Sequence, residues 1–382
     1  MFCLHLSFLY LRIQTVVCCL FDGKNILYYM TMISPVDELF MRRALQLARC
    51  GAGSTSPNPM VGAVIVCDGR IIGEGYHIRA GEPHAEVNAV NSVKECDRCM
   101  LERSTIYVTL EPCSHYGKTP PCCDLIIACG IARVVIAVTD SNNQVNGRGI
   151  ERMRAAGIDV AVGLLETESR RLNEAFFAYH QKKRPYVTLK WAQSADGFID
   201  KKRTGGKPLK ISNGMSRVAV HKLRAAHDAI LVGTHTALLD NPSLDVRLWA
   251  GRSPLRLVID RKGVLPSGLN LFDGRCPTVV FTESLRDCFG KNIKQVLLQP
   301  GLDAIAQILD WLYTRRINSL LVEGGSCLLQ SFIDSGMWDS ARVETNPLLH
   351  IGDGIPAPRL KNAVKTKEEG CCGNSISYFE RV

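Results

Sequence analysis

The sequence predicts an α/β protein built as two layered domains in series. Apolar strand-like runs alternate with amphipathic helical stretches from about Pro35 onward. The chain has 382 residues, enough for two sizeable cores. A basic, proline-ended break, Gln181-Lys182-Lys183-Arg184-Pro185, reads as a solvated connection between two folded units. The expected division is a leader over 1–32, one domain over 33–182 and a second over 183–382.

Taken in order, residues 1–30 are apolar, with only Arg12 and Lys24 as positive charges. They lack the basic start and small-residue cleavage site of a signal peptide, and Arg12, Gln14 and Asp22 keep any apolar run below spanning length. An overlong start is expected, with translation beginning at Met30 or Met32. Asp37 to Ala48 forms an amphipathic helix with acids in its first turn, ended by Gly51 and Gly53. Val61–Val66 and Ile71–Tyr76 flank Asp68-Gly69 as a hairpin. A helix beginning at Pro83 presents His84 and Glu86. Thr105–Leu110 is a strand, and Cys122 opens a helix that Gly130 stops. Arg133–Val138 and Ile158–Val162 are strands, followed by one helix from about Leu165 to His180.

The second half starts with the strand Tyr186–Lys190, a turn at Ser194–Gly197 and a mobile basic loop over Lys201–Lys210. Ser212 is expected to cap a helix running through Ala225. Ala229–Gly233, Leu255–Asp260, Pro277–Phe281, Lys294–Leu298 and Ser319–Val322 are strands. Gly324-Gly325 lies between the last of these and the helix Cys327–Ser335, where backbone N–H groups can approach a phosphate. No Gly-x-Gly-x-x-Gly occurs, which excludes the usual dinucleotide fingerprint.

Composition excludes several function classes. Charged residues are 22% and apolar ones 46%, as in an ordinary globular protein. The net charge of +9 suits a small anionic substrate and cofactor, and no lysine-rich tail or aromatic-basic stripe points to nucleic acid. The 16 Cys are scattered without a disulfide framework, which predicts reduced thiols in a cytoplasmic protein.

Chemistry concentrates in His84-Ala85-Glu86 and Pro112-Cys113 to Cys122. One imidazole and two thiolates hold zinc through three protein ligands, leaving the fourth position for water, as catalytic zinc sites do. Glu86 lies two residues past His84, where it need not bind metal and can shuttle protons. This His-x-Glu, Pro-Cys, Cys arrangement is that of the zinc deaminases. Eight residues, rather than the usual two, separate Cys113 from Cys122. The insert carries Lys118 and Thr119, which suit a phosphate or acidic ligand better than a bare nucleobase.

Pro57-Asn58-Pro59-x-Val61-Gly62, His84-Ala85-Glu86-Val87, Thr109 to His115 and Gly117-Lys118-Thr119-Pro120-Pro121-Cys122 together resemble the bifunctional riboflavin-biosynthesis deaminase/reductase family. So do Leu189-Lys190 with Ser194-x-Asp196-Gly197, Asp240-Asn241-Pro242-x-Leu244-x-Val246-Arg247 and Val322-Glu323-Gly324-Gly325. The resemblance runs from about 33 to 360, apart from the leader and a Cys371-Cys372 tail. It implies a cytidine-deaminase-like three-layer domain followed by a dihydrofolate-reductase-like α/β domain. The first would deaminate a ribosylaminopyrimidine 5′-phosphate, and the second would reduce its ribosyl group to ribityl with NADPH.

By the same resemblance, zinc falls on His84, Cys113 and Cys122, with Glu86 catalytic. Asn58, His115, Lys118 and Thr119 fall on the substrate side. NADPH contacts fall on Ala192, Thr236, Asp240, Gly325, Ser326, Cys327, Leu328, Leu329, Gln330 and Ser331. Lys190, Arg224, Leu244, Arg247 and Glu323 fall on the reductase substrate. Many members carry Gly-x-Ser-x-Trp-Ile-Ser/Thr where this chain has Gly206 to Ser212 without that Ser and Trp, and Arg261 stands where a small residue is usual. The expected partner is a small phosphorylated pyrimidine, with neither nucleic acid nor membrane involved, and a homo-oligomer is expected. Each active site is expected to be built within one domain.

Overall fold

The structure, a computed structural model, describes residues 33–116, 120–141, 146–203, 206–287 and 289–382. The leader therefore lies outside the described residues, as do Lys118 and Thr119.

The first domain is laid on a five-stranded sheet with helices on both faces. Its elements are α1 (Pro35–Arg49), β1 (Gly62–Cys67), β2 (Arg70–Tyr76), α2 (Ala85–Ser92), β3 (Thr105–Val108), α3 (Cys122–Ala128), β4 (Arg133–Ile136), α4 (Arg148–Ala155), β5 (Asp159–Val162), α5 (Glu166–Leu172) and α6 (Glu174–Lys182). Strand order is β2-β1-β3-β4-β5. The hairpin β1/β2 is antiparallel and β3, β4 and β5 are parallel. The apolar residues of α2, α3 and α4, such as Ala89, Ile126 and Met153, pack one face. Phe40, Met41 and Ala44 of α1 pack Val64 and Val66 on the other. The three expected layers are present.

Two details differ from the sequence reading. Asp37 is more than a first-turn acid answering the helix dipole. It is buried, accepting from Tyr107 at 2.6 Å and Arg133 at 2.7 Å. Burial pushes its carboxyl up, but the bonds from Arg133 and Tyr107 outweigh that and hold it well below the usual range. The helix expected over 165–180 is broken at Asn173, whose side-chain amide bonds both the N–H and the C=O of Met60 at 2.8 and 2.9 Å. That pair ties down the loop carrying Asn58.

The second domain continues with β6 (Tyr186–Ser194), β7 (Phe198–Lys201), α7 (Gly214–Ala225), β8 (Ala229–Val232), α8 (Thr234–Asp240), β9 (Leu255–Ile259), β10 (Thr278–Thr282), β11 (Ile293–Leu297), α9 (Ala304–Thr314), β12 (Ser319–Glu323), α10 (Ser326–Ser335), β13 (Ser340–Asn346), β14 (Gly354–Pro356), β15 (Ala363–Cys371) and β16 (Asn374–Arg381). Its nine-stranded sheet runs β11-β10-β9-β8-β12-β6-β13-β16-β15, parallel until β16. Ile308 and Leu312 of α9 and Phe332 of α10 belong to the core on one face, and Leu244, Leu265 and Leu271 to the other.

Here too the structure corrects particulars. Asn213, and not Ser212, caps α7, accepting from the Ser216 N–H at 2.8 Å, while Ser212 donates to Glu344 at 2.8 Å. The supposed Cys371-Cys372 tail is the turn of the β15/β16 hairpin, which extends the sheet. The 181–185 break is exposed at 181–183, as expected, but it is tied down rather than loose. Asp339, buried immediately before β13, takes ion pairs from Lys182 and Arg184 and a bond from the Val187 N–H at 2.8 Å.

Candidate active sites

The zinc-ligand set assembles from three elements. His84 is the residue before α2, in extended conformation; Cys113 follows β3; Cys122 is the first residue of α3. The His84 Nδ1 lies 3.6 Å from Cys113 Sγ and 3.3 Å from Cys122 Sγ. Donors around one tetrahedral zinc, with Zn–N near 2.0 Å and Zn–S near 2.3 Å, stand roughly 3.5 Å apart, so this donor set fits the ion without rearrangement. Among the described residues no other group of three or more His, Cys, Asp or Glu meets this condition. The thiol of Cys122, and then His84, pull the Cys113 thiol down, toward the thiolate a metal requires.

Helix α2 can sit close enough only because β2 offers glycine. A Cβ on Gly75 would stand 2.3 Å from the Ala89 nitrogen and 2.5 Å from the Ala85 oxygen. Glu86, in the first turn of α2, is buried in the same cluster. Burial, reinforced by the Cys113 charge, pushes its carboxyl up to about 7. The ring of His77 meets that of His84 edge-on at 5.5 Å. Its Nδ1 faces the Pro83 carbonyl and its Nε2 faces Asn58 Nδ2, both at 3.1 Å, so it donates at the first and accepts at the second. The glutamate of Leu110-Glu111-Pro112 is used internally: its carboxylate accepts the N–H groups of Asp140, Gly147, Gly149 and Ile150. The resulting cavity holds about 560 Å³ and includes Asn58, His77, His84, Glu86 and His115. Tyr313, Arg316 and Asn318 of the second domain also line it. The expectation of a site built within one domain fails here, because Asn318 and Tyr313 bond directly to the first domain.

The second constellation lies along the middle of the large sheet. Glu323 ends β12 and pairs in register with Lys190 of β6. Arg224 of α7 grips both Glu323 oxygens, at 2.9 and 2.8 Å, and also donates to the Asp245 carbonyl. Burial alone would raise the Glu323 carboxyl; Arg224, then Lys190, outweigh it and hold it at about 2. Burial draws Lys190 down from the usual lysine range. Gly324 and Gly325 both have positive φ, and the side chain of Thr236 occupies the space a Cβ on either would need. A glycine turn at the start of a helix is the kind of backbone that an anion can approach.

Residues 34–138 match the family described as cytidine and deoxycytidylate deaminase zinc-binding region, and residues 185–368 match the RibD C-terminal domain. The riboflavin biosynthesis protein RibD of Aquifex aeolicus is 41% identical over 359 residues, spanning 91% of this chain and 99% of that protein. This chain belongs to the RibD family. RibD of Escherichia coli K12 is 39% identical over 332 residues, 82% of this chain and 88% of that one. The crystal structure of a diaminohydroxyphosphoribosylaminopyrimidine deaminase/5-amino-6-(5-phosphoribosylamino)uracil reductase from Thermotoga maritima aligns with a TM-score of 0.84 at 39% identity, covering 91% of this chain and 99% of that one.

Against the RibD expectations, the structure brings His84, Glu86, Cys113, Asn58 and His115 to one cavity, with Cys122 beside His84. Arg224, Glu323 and Lys190 form one cluster. Arg247 is exposed and paired with Asp245, its N–H donating to His221. Leu244 and Leu329 are core residues, so their side chains are taken up by packing. Ala192 lies late in β6, and Gly325 to Ser331 run from the glycine turn into α10, where Ser326 donates to the Pro356 carbonyl. Asp240 is held by Arg203, a residue sequence reasoning passed over inside its basic loop, while burial raises the Asp240 carboxyl. Lys207 and Lys210 are exposed, and Arg261 pairs with Glu283. His77 was also passed over, although a lone imidazole directly after a strand end was its signal.

Proposed function

We propose that the two constellations are the two active sites of a bifunctional enzyme of riboflavin biosynthesis, with the division of labour falling at residues 33–182 and 183–382. The chain is a deaminase and a reductase. Its first activity removes the amine of a ribosylaminopyrimidine 5′-phosphate by hydrolysis, and its second reduces the ribosyl side chain to ribityl with NADPH. The observation that carries the assignment of the first site is the His84–Cys113–Cys122 donor set with the buried carboxyl of Glu86 beside it.

In this reading His84, Cys113 and Cys122 hold zinc, which supplies Lewis-acid activation of a water at neutral pH. Glu86 takes one proton of the attacking water and passes it to the ring nitrogen, then takes the second from the newly added hydroxyl and gives it to the amine as the C–N bond breaks, so a single carboxyl serves both halves of the reaction. A carboxyl brought near neutral pH by burial suits that exchange. Asn58, oriented by His77, and His115 bind the pyrimidine, and Lys118 and Thr119 meet its acidic end.

In the second site NADPH supplies a hydride. Thr236, Asp240, Ala192 and the Gly325–Ser331 turn hold the cofactor, with phosphate charge facing the glycine turn. Glu323 orients the sugar hydroxyls because Arg224 fixes both its oxygens and leaves the carboxylate without rotational freedom. Lys190, Arg247 and the backbone at Leu244 complete the substrate side.

Among the described residues no helix is long and apolar enough to cross a membrane, and the described cysteines are free thiols. The free thiols support a cytoplasmic enzyme, and the family resemblance supports a homo-oligomer. The test is incubation with the phosphorylated aminopyrimidine, with and without NADPH, reading ammonia release and nicotinamide oxidation together. Ammonia release in both tubes and oxidation only where NADPH is present is the expected result. Absence of either signal overturns the corresponding assignment.

A further inference from the structure

We infer that the second domain supplies a specificity-determining residue to the first domain's site: Arg316 reads the anionic end of the substrate being deaminated. The inference rests on the zinc cavity being the deamination site and deepens that reading.

Helix α9 ends with the Ile317 N–H bonded to the Leu312 carbonyl and the Arg316 N–H bonded to that of Tyr313, at 3.1 and 3.0 Å. This is a Schellman ending, and its left-handed position ordinarily belongs to glycine. Arg316 occupies it with φ +58°. A side chain that disfavours this backbone is therefore held at the wall of the cavity. No hydrogen bond or carboxylate partner engages the Arg316 guanidinium among the described residues, whereas Arg203, Arg224 and Arg256 are each bound by several acceptors.

The wall around Arg316 is rigid. Two residues on, Asn318 donates to the Pro57 carbonyl at 2.6 Å, next to Asn58. Asn318 is buried, and its Oδ1 has no partner among the described residues. Tyr179 of α6 donates to the Tyr313 carbonyl at 2.9 Å, and the two rings lie 4.7 Å apart. The segment from Tyr313 to Asn318 is thus clamped to both sides of the first domain's cavity. Three acidic groups line the cavity, and none forms an ion pair with Arg316 among the described residues: Glu111 is saturated by backbone N–H groups, Glu86 is buried beside the ligand set, and Asp140 is buried. Arg316 is exposed, its backbone is clamped at the rim of the cavity, and a guanidinium without a carboxylate partner is the group that recognises a phosphate oxygen pair.

The test uses the full-length, zinc-loaded chain. Arg316→Gly removes the cation while suiting the left-handed backbone, so the variant folds; Arg316→Lys restores charge alone. Initial rates of ammonia release are measured against concentration for the phosphorylated aminopyrimidine and for the same compound lacking its phosphate. Arg316→Gly is expected to raise KM for the phosphorylated compound about tenfold or more, the factor for a charge-assisted hydrogen bond. Turnover at saturation should stay within about threefold, and Arg316→Lys should recover part of the loss. The dephosphorylated compound should react alike in wild type and Arg316→Gly, and NADPH oxidation with pre-deaminated substrate should be unchanged. An unaltered KM for the phosphorylated compound, or an equal rise for both compounds, overturns the inference. A wild-type chain that releases no ammonia overturns the inference together with the reading of the cavity.

Discussion

Removing the Glu323 carboxylate should separate the two activities and cost the second domain a calculable stability. The side chains of Arg224 and Glu323 are only 13% and 9% exposed, so figures for surface ion pairs do not apply. Glu323→Ala leaves the guanidinium with the Asp245 carbonyl alone, and leaves Lys190 beside it without its neutralising neighbour. Breaking a buried pair from one side costs about 3–5 kcal/mol. For a domain of this size that lowers Tm by about 6–20 °C, at 2–4 °C per kcal/mol. Urea unfolding followed by circular dichroism gives the first number, and NADPH oxidation with pre-deaminated substrate should fall below detection in the folded variant. Ammonia release should continue. An unfolding midpoint equal to wild type, or persistent reduction, would show that Arg224 and Glu323 are not the desolvated unit described here.

Three further outcomes follow from the geometry. Gly75→Ala forces a methyl against backbone atoms of α2, which carry no flexible end to yield; it should cost about 1–3 kcal/mol and strip zinc and deamination while sparing NADPH oxidation, read by metal analysis and the two assays. Cys122→Ala should lose zinc, whereas Cys123→Ala should keep about one ion per chain, because the Cys123 thiol is packed in the core and burial pushes it up to about 11; equal zinc content in the two variants would contradict the ligand assignment. The Glu323 carboxyl is depressed, so its stabilising contribution is complete above the ordinary value of 4.5 and is lost as pH falls toward about 2. The stability difference between wild type and Glu323→Gln should therefore be flat above about pH 5 and shrink below it.

What was legible in the sequence was whatever lies within a few residues or repeats with a simple period. His84 and Glu86 share one helix start, and Cys113 and Cys122 bracket one loop. The alternation of strands and helices carried the layered architecture. Residues joined only by tertiary contact were not legible: Tyr313, Arg316 and Asn318 stand more than 130 positions from the cavity's Tyr179. The β15/β16 hairpin escaped notice because β15, Ala363–Cys371, is mostly exposed and carries Lys and Glu where apolar alternation would mark a strand. Ser212 and Asn213 are both good caps, and Glu344 on the neighbouring β13 claims the serine hydroxyl, leaving the asparagine to cap. The break in the helix at Asn173 has the same origin, since its partner, Met60, is 113 residues away.

The measurement that bears most directly on the central claim is a paired assay of Glu86→Gln, with zinc content determined on the same sample. Glutamine keeps the side-chain volume in the buried cluster and cannot carry the proton. Zinc should remain at about one per chain, ammonia release should fall by about two to four powers of ten, and NADPH oxidation with pre-deaminated substrate should match wild type. Near-normal ammonia release from the zinc-loaded variant, or loss of both activities in a folded one, would contradict the account.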